Sequence, residues 1–209
     1  SSTDLGEIES MGRLFLGSVY ALNWSSGEYR ESEKIALPNG KNIYGFALGD
    51  VMNNGREITA AFDENEHLQL IGPGGAREWK SRERFGGTAL YLEYPTSGND
   101  VGRYYLPQRI RVTDMDGDGK NEILVSSNKD AAMGLLGRIR EYSGGQVACL
   151  QWNELSMKQI WATDMMNDYI SDFSLTDLDG DGKMEIVISV VGSGGFLETK
   201  KSSIVVWRR

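Results

Sequence analysis

Cysteine is almost missing from this 209-residue chain, which contains a single one, Cys149. One cysteine excludes a disulfide framework, so the cysteine content does not indicate a redox compartment. Cys149 lies in the apolar stretch Val147–Leu150. We therefore expect a small buried hydrophobic side chain rather than a reactive thiol.

Histidine is just as scarce, and the only one, His67, begins the strand-like segment 67–71. A capping or solvent-facing role is expected for it in preference to a catalytic base, while a Ser-His-Asp triad stays open. No G-x-S-x-G nucleophile motif is present. The glycine-rich segments 72–75 and 192–195 lack the Lys-Ser pair and the helix of a phosphate-binding loop. The sequence thus indicates no catalytic constellation.

Long hydrophobic runs and excess positive charge are also absent. No apolar stretch approaches the roughly 20 residues that a membrane span requires. The 30 acidic residues outnumber the 22 basic ones, giving a net charge of −8, which argues against nucleic acid as a partner. Proline occurs only 4 times beside 26 glycines, which favours a hairpin-rich domain over a disordered tract.

What the chain does contain is one acidic motif in two good copies. The segment Asp114–Ile123 recurs 63 residues later as Asp177–Ile186, with Asp at loop positions 1, 3 and 5, Gly at 6 and Glu at 9. Such a set of hard oxygen ligands, completed by a backbone carbonyl at position 7, suits Ca²⁺. We predict two calcium sites, with the ligands Asp114, Asp116, Asp118, Lys120 and Glu122 in one loop and Asp177, Asp179, Asp181, Lys183 and Glu185 in the other.

Two alternatives to a calcium loop fit the motif less well. Asp-Gly is also common in plain turns, but four acids within nine residues would repel one another without a cation. An EF-hand requires a bidentate Glu at position 12, where this chain has Val125 and Ile188. The flanking segments are rich in β-forming residues, so the context is strand, loop, strand.

A degraded third copy of the motif lies upstream at Asp50–Ile58. It has Met52 where the second Asp should be and is one residue shorter before Ile58. We predict a metal-free hairpin closed by Asn54-Gly55, a dipeptide typical of tight turns.

The repeat period predicts the fold class. A unit of more than about 40 residues that is rich in short strands is typical of β-propeller blades. We predict an all-β protein of four-stranded antiparallel blades, with about three to three and a half blades in a single segment, 1–209. In the blade at 105–162, the third and fourth strands are predicted at 138–142 and 146–152, with a turn at 143–145. The predicted blades are 10–38 (its last two strands only), 43–85, 105–162 and 169–209 (without a last strand), and a tyrosine-rich loop, 86–104, joins the second of these to the third.

With its D-h-D-G-D-G-x-x-E pattern between hydrophobic strands, the stretch 43–207 resembles the FG-GAP or VCBS-type repeats of integrin-α-like β-propellers. The literal FG-GAP cassette is missing, and Glu122 and Glu185 stand where Asp is common. The resemblance implies a calcium-clasped propeller that is extracellular, periplasmic or on the cell surface. It also implies a recognition scaffold more often than an enzyme.

A candidate ligand face follows from strand alternation, which places the long segments 86–107, 128–137 and 192–202 opposite the calcium loops. Long loops on a rigid scaffold often carry recognition, and tyrosines suit protein or sugar contacts. The alternative is that these aromatic residues only seal neighbouring blades. The candidate ligand-face residues are Tyr91, Tyr94, Tyr104, Tyr105 and Phe196.

We therefore expect a non-catalytic, calcium-stabilised module for protein or carbohydrate recognition, adhesion or assembly. The alternatives are part of a polysaccharide-acting, lyase-like enzyme and a purely structural module of a larger surface protein. Since propellers have about four to eight blades, further blades of the same propeller or of other chains are expected as partners. The apolar strand 203–207 favours edge-to-edge self-association.

Overall fold

The computed structural model describes residues 19–35, 37, 41, 43–95, 100–131, 140–192 and 201–208. Their paired strands all run antiparallel, which confirms the predicted all-β class. No helix in this part of the chain is long and apolar enough to cross a membrane. The strands are β1 (Val19–Ser25), β2 (Glu28–Ile35), β3 (Phe46–Gly49), β4 (Ile58–Phe62), β5 (His67–Ile71), β6 (Arg77–Arg84), β7 (Tyr91–Pro95), β8 (Val101–Tyr105), β9 (Ile110–Thr113), β10 (Glu122–Asp130), β11 (Tyr142–Trp152), β12 (Met157–Ala162), β13 (Tyr169–Thr176), β14 (Glu185–Val191) and β15 (Ser202–Trp207).

These strands form three meandering sheets and two hairpins. The first sheet has the order β3-β4-β5-β6, the second β9-β10-β11-β12 and the third β13-β14-β15, while β1-β2 and β7-β8 pair only with each other. Each sheet is open and joins strands that are consecutive in the chain. Both acidic loops therefore connect the first two strands of a sheet, the second sheet in one case and the third in the other.

The second sheet is buried on both faces. Ile123 and Val125 of β10 belong to a hydrophobic cluster shared with the first sheet, whereas Leu124 between them belongs to a cluster shared with the third sheet. Successive side chains of a strand point to opposite faces, so a strand covered on both sides reads as a continuous apolar run. Cys149 of β11 is fully buried in the second cluster, as its apolar surroundings predicted.

The predicted turn at 143–145 is wrong, because β11 runs without interruption through it and the fourth strand of the sheet is β12. The glycines there permit close packing instead of a turn. A Cβ on Gly144 would lie 2.6 Å from the carbonyl oxygen of Met166, and one on Gly145 would lie 2.2 Å from Oδ1 of Asn128.

The segment 86–104 is not the loop that was predicted. Residues 91–95 and 101–104 belong to the β7–β8 hairpin, with Tyr91 opposite Tyr105 and Pro95 opposite Val101. Tyrosine and valine are enriched in strands, and the two segments contain four tyrosines and one valine, which favours such a ladder. The four tyrosines of the candidate ligand face are therefore carried on paired strands.

Polar contacts hold the second sheet to the third. The Asn128 side chain, in β10, donates to the Ile170 carbonyl (2.8 Å) and accepts from the Ile170 amide (3.0 Å). Arg109 makes a bidentate ion pair with Asp172, with both N–O distances at 2.8 Å. These contacts fix the relative positions of the sheets that carry the two acidic loops.

Candidate metal centres and the tyrosine hairpin

The loop 114–122 is shaped by its first aspartate. Asp114 Oδ1 accepts the amide hydrogens of Gly117 (2.7 Å) and Asp118 (3.2 Å), and Oδ2 accepts that of Gly119 (2.9 Å). Gly117 and Gly119 have φ values of +76° and +85°, in a region that other residues rarely adopt. The spacing of Asp and Gly in the motif thus builds the turn before any ion is considered.

The last acid of the loop, Glu122, begins β10 and is only 1% exposed. Its Oε2 accepts the Met115 amide hydrogen (2.9 Å), and its Oε1 accepts from Nε2 of Gln151 (2.8 Å). Burial raises the pKa of this carboxyl above its ordinary value, against the lowering effect of those hydrogen bonds, and the charge of Asp116 raises the pKa further. A positive charge in the loop would offset this unfavourable burial.

The two loops each bring three carboxylates together. One oxygen from each of Asp114, Asp116 and Glu122 lies within 4.8 Å of the others, and Asp177, Asp179 and Glu185 form the matching cluster. Calcium binds oxygen at about 2.3–2.6 Å, so ligands on opposite sides of one ion are about 5 Å apart. The spacing and the all-oxygen donor set fit a hard cation, and each cluster could hold one metal ion.

The fifth-position aspartates lie outside these two clusters of three. Asp118 Oδ1 accepts the amide hydrogen of Lys120 at 2.8 Å, and Asp181 Oδ1 accepts that of Lys183 at 2.8 Å. Both carboxylates therefore stiffen the second half of their loops. The backbone carbonyls of Lys120 and Lys183 stay predicted ligands.

The loop 177–185 repeats the first geometry closely. Asp177 accepts the amide hydrogens of Gly180 (2.7 Å), Asp181 (3.1 Å) and Gly182 (2.9 Å). Glu185, 4% exposed, accepts the amide hydrogen of Leu178 at 2.8 Å. Its surroundings differ, because Arg208 contacts Asp179 Oδ2 (3.1 Å) and Glu185 Oε1 (3.6 Å).

The degraded loop at 50–58 retains the capping aspartate. Asp50 accepts the amide hydrogens of Asn54 (2.9 Å) and Gly55 (2.7 Å). Met52, at the position of Asp116, packs against the hydrophobic core. In the part of the chain that the structure describes, the carboxylate clusters lie only in the other two loops.

This loop docks against the next one through an asparagine pair. Asn53 Nδ2 donates to the Asn121 carbonyl (3.2 Å), and Asn53 Oδ1 accepts the Asn121 amide hydrogen (2.6 Å). Nδ2 of Asn121 also donates to the Asp50 carbonyl (3.1 Å). Sequence reasoning missed this contact, for which the only local signal is an Asn in a turn, the residue type that tolerates the φ of +53° found at Asn53.

The predicted ligand-face tyrosines are brought together on the β7–β8 hairpin. The rings of Tyr91 and Tyr105 meet edge to face at 5.5 Å. The guanidinium of Arg103 lies 4.4 Å from the centroid of Tyr91, and that of Arg140 lies 4.0 Å from Tyr105. Tyr94 and Tyr104 line a cavity beside this hairpin. Phe196 lies outside the described residues.

His67 takes a structural position. Its amide donates to Asp63 Oδ1 at 2.9 Å, and its ring nitrogen Nδ1 lies 3.2 Å from the Glu83 carbonyl. The ring contact ties the beginning of β5 to the end of β6, and the amide contact closes the turn before β5.

Comparison with known proteins finds no matching family model, no similar curated protein and no similar solved structure. Functional inference for this chain therefore depends on its own geometry.

Proposed function

We propose that this chain is a non-catalytic, calcium-stabilised β-propeller module that presents a recognition surface outside the cytosol. The observation that carries the proposal is the pair of preshaped acidic loops. In each loop a capping Asp fixes the backbone, and this Asp forms a cluster of three carboxylates with a second Asp and a buried Glu.

Calcium is favoured over other metals by the donor chemistry. The clusters offer carboxylate oxygens without sulfur or imidazole ligands, which disfavours zinc and copper. Magnesium prefers near-ideal octahedral geometry and retains its waters, whereas calcium accepts irregular loops with several protein oxygens. Millimolar free calcium is a condition of extracellular and envelope compartments, in keeping with the proposed location.

The blade assignment is supported by the order of the strands. Three successive meanders pack face to face through two shared hydrophobic clusters. The first strands of the first two sheets, β3 and β9, lie beside each other, and β13 of the third sheet packs against β10 and β11. Such face-to-face stacking of successive meandering sheets is the arrangement expected of propeller blades. The resemblance to FG-GAP and VCBS-type repeats agrees with it.

Calcium titration calorimetry tests the proposal, with thermal unfolding in calcium and in chelator as the second readout. Two sites are expected, and each should add about 2.7 kcal/mol to the free energy of unfolding when free calcium is 100 times Kd. Magnesium at the same concentration should produce a smaller shift. A melting temperature indifferent to chelator would overturn the proposal.

The variants D116N and D179N should each remove one site, because each deletes a ligand charge while retaining the shape of the side chain. Asp100, which is exposed and lies outside both loops, supplies the matched control. D100N makes the same change in net charge, and we expect it to leave both binding steps intact.

A further inference from the structure

We infer that the cavity beside the tyrosine hairpin is a binding site for an uncharged carbohydrate. The inference rests on the proposed recognition function and names its ligand class. The cavity has a volume of about 630 Å³ and lies between the hairpin and the end of the first sheet. Ligand pockets of roughly 300–1,000 Å³ accommodate small molecules, so this one has room for a mono- or disaccharide.

Aromatic rings form much of its wall. Tyr44, Tyr94, Tyr104 and Tyr105 line the space, together with the buried Phe85. A flat ring with a polar edge can cover the C–H face of a sugar while its hydroxyl group bonds to a sugar oxygen. These rings offer the apolar half of a carbohydrate site.

One of these rings is held in place before any ligand arrives. Tyr105 lies between the edge contact with Tyr91 at 5.5 Å and the guanidinium of Arg140 at 4.0 Å. Arg140 is itself paired with Glu66. A ring fixed from two sides loses little further freedom on binding, which favours affinity for a rigid ligand.

The charges around the cavity balance. Three cationic side chains line it, and so do three acidic ones. Several are already paired, as in Asp63 with Lys80 at 2.6 Å and Arg103 with Glu93 at 3.4 Å. A lining without net charge gives little attraction to an anionic or cationic ligand, whereas paired polar groups still supply donors and acceptors for hydroxyl groups. The cationic residues are Lys41, Arg103 and Arg140, and the acidic residues are Asp63, Glu64 and Glu66.

Gln108 provides a hydrogen-bond acceptor that calls for a donor from the ligand. It lines the cavity, is 6% exposed, and its Oε1 has no hydrogen-bond partner among the described residues. The amide orientation is fixed because Nε2 lies 3.2 Å from the carbonyl oxygens of both Gly87 and Ile170. Oε1 itself is closed off from solvent, so a ligand hydroxyl group reaches it only where the surrounding wall yields. A buried acceptor without a donor is unfavourable, which favours that movement. An uncharged sugar offers both a hydroxyl donor for Gln108 and C–H faces that the tyrosine rings can cover.

Saturation-transfer NMR on the full chain in calcium tests the inference with named probes. The neutral set is methyl α-mannoside, methyl β-galactoside and methyl N-acetyl-β-glucosaminide. The charged set is N-acetylneuraminic acid and glucosamine, and a library of capped tetrapeptides represents a protein ligand. Transfer to ring C–H protons of at least one neutral glycoside is expected. Transfer only to charged sugars, only to peptides, or to none of the probes would overturn the inference.

Variants locate the site once a glycoside binds. Y44A and Y104A should each weaken binding about tenfold, the effect of losing one good contact. Y29A is the matched control, because Tyr29 lies on the β1–β2 hairpin outside the cavity and is 68% exposed. Equal weakening by Y29A would place binding elsewhere and refute the site.

Deoxy analogues of the bound glycoside test the contact with Gln108 without any change to the protein, so folding is not affected. At least one deoxy analogue of the bound glycoside should lose about tenfold in affinity, because an unpaired buried acceptor rejects a ligand that lacks its donor. Uniform affinity across the series would contradict the role of Gln108. Calcium binding without any glycoside binding would refute this inference alone, and glycoside binding without calcium uptake would refute the proposed function alone.

Discussion

The loops 114–122 and 177–185 have nearly the same sequence and the same internal geometry, yet they stand in different surroundings. In the first, Glu122 Oε1 accepts from the neutral amide of Gln151. In the second, Glu185 Oε1 faces the guanidinium of Arg208, which also contacts Asp179 at 3.1 Å. The neutral amide does not compete with a cation, whereas the guanidinium already places a positive charge beside two carboxylates of the cluster.

The two loops also differ in their neighbours along the stack of sheets. Asn121 joins the first acidic loop to the loop at 50–58 by three hydrogen bonds. The equivalent residue of the second acidic loop is Met184, which is 51% exposed. A repeated motif therefore specifies the shape of the cage, and residues outside the motif set the charge and the rigidity around it.

Removing the capping aspartates should have the largest effect and should act on both loops alike. D114A and D177A each delete the acceptor of three amide hydrogens, so each should lower the free energy of unfolding by about 2–3 kcal/mol even in chelator. Urea unfolding in chelator measures this cost. D116A and D179A are the contrasting variants, since they remove a predicted ligand but not the cap. If D116A lowered the free energy of unfolding in chelator as much as D114A does, the capping hydrogen bonds would not be what shapes the loop.

Removing the contacts of the asparagine pair should lower the stability of the protein, whereas the equivalent change in the second acidic loop should not. N121A removes one side-chain hydrogen bond directly and N53A removes two, so each should cost about 1–2 kcal/mol of stability. M184A, at the equivalent position of the second loop, should stay within about 0.5 kcal/mol of wild type, as is usual for exposed positions. Chemical denaturation of the three variants gives the comparison. A cost for M184A as large as that for N121A would mean that the second loop has a docking contact of its own.

Exchanging the flanking side chains should exchange the calcium affinities. R208Q is expected to raise the affinity of the loop 177–185 about fivefold, and Q151R to lower that of the loop 114–122 by a similar factor, since a nearby unit charge contributes about 1 kcal/mol at a solvent-exposed site. Terbium luminescence or calorimetry at low ionic strength measures both.

The control for this exchange is R30Q, because the Arg30 side chain is 62% exposed and that of Arg208 is 61% exposed. It removes the same charge far from either loop in sequence. An affinity change in R30Q equal to that in R208Q would indicate a general effect of net charge. Salt at molar concentration should reduce the difference in calcium affinity between the two loops.

Much of the local structure could be predicted from the sequence. The strand predicted to begin at His67 and to cover 67–71 has those bounds in the structure, because its alternating apolar residues end at a clear turn signal. The acidic loops were also recognised, since the spacing of Asp and Gly determines their hydrogen bonds. These features depend on residues that are near one another in the chain.

What the sequence did not predict depends on contacts between distant residues. Gly144 and Gly145 have the composition of a turn, but the close approach of Met166 and Asn128 keeps them in β11. Arg208 reaches the cluster at 177–185 because β14 pairs with β15 in a register that places Ile186 opposite Trp207. Such registers are set by packing across sheets, which local patterns do not record.

The smallest expected effect concerns the ion pair between Arg109 and Asp172, which joins the sheets that carry the two loops. Burial alone would raise the pKa of Asp172, but the hydrogen bonds from Arg109 and the Phe173 amide outweigh it, and the pKa lies below its ordinary value. A lowered folded-state pKa contributes stability above the unfolded-state pKa, and that stability is lost as the pH falls through the folded-state value. Because both side chains are 40–49% exposed, the contribution should stay below about 1 kcal/mol. Urea unfolding in chelator, at neutral pH and near pH 3, should show a smaller loss of stability on acidification for D172N than for wild type. In the R109Q background D172N should change this loss little, and an equal change in both backgrounds would show that the pair does not couple the two sheets.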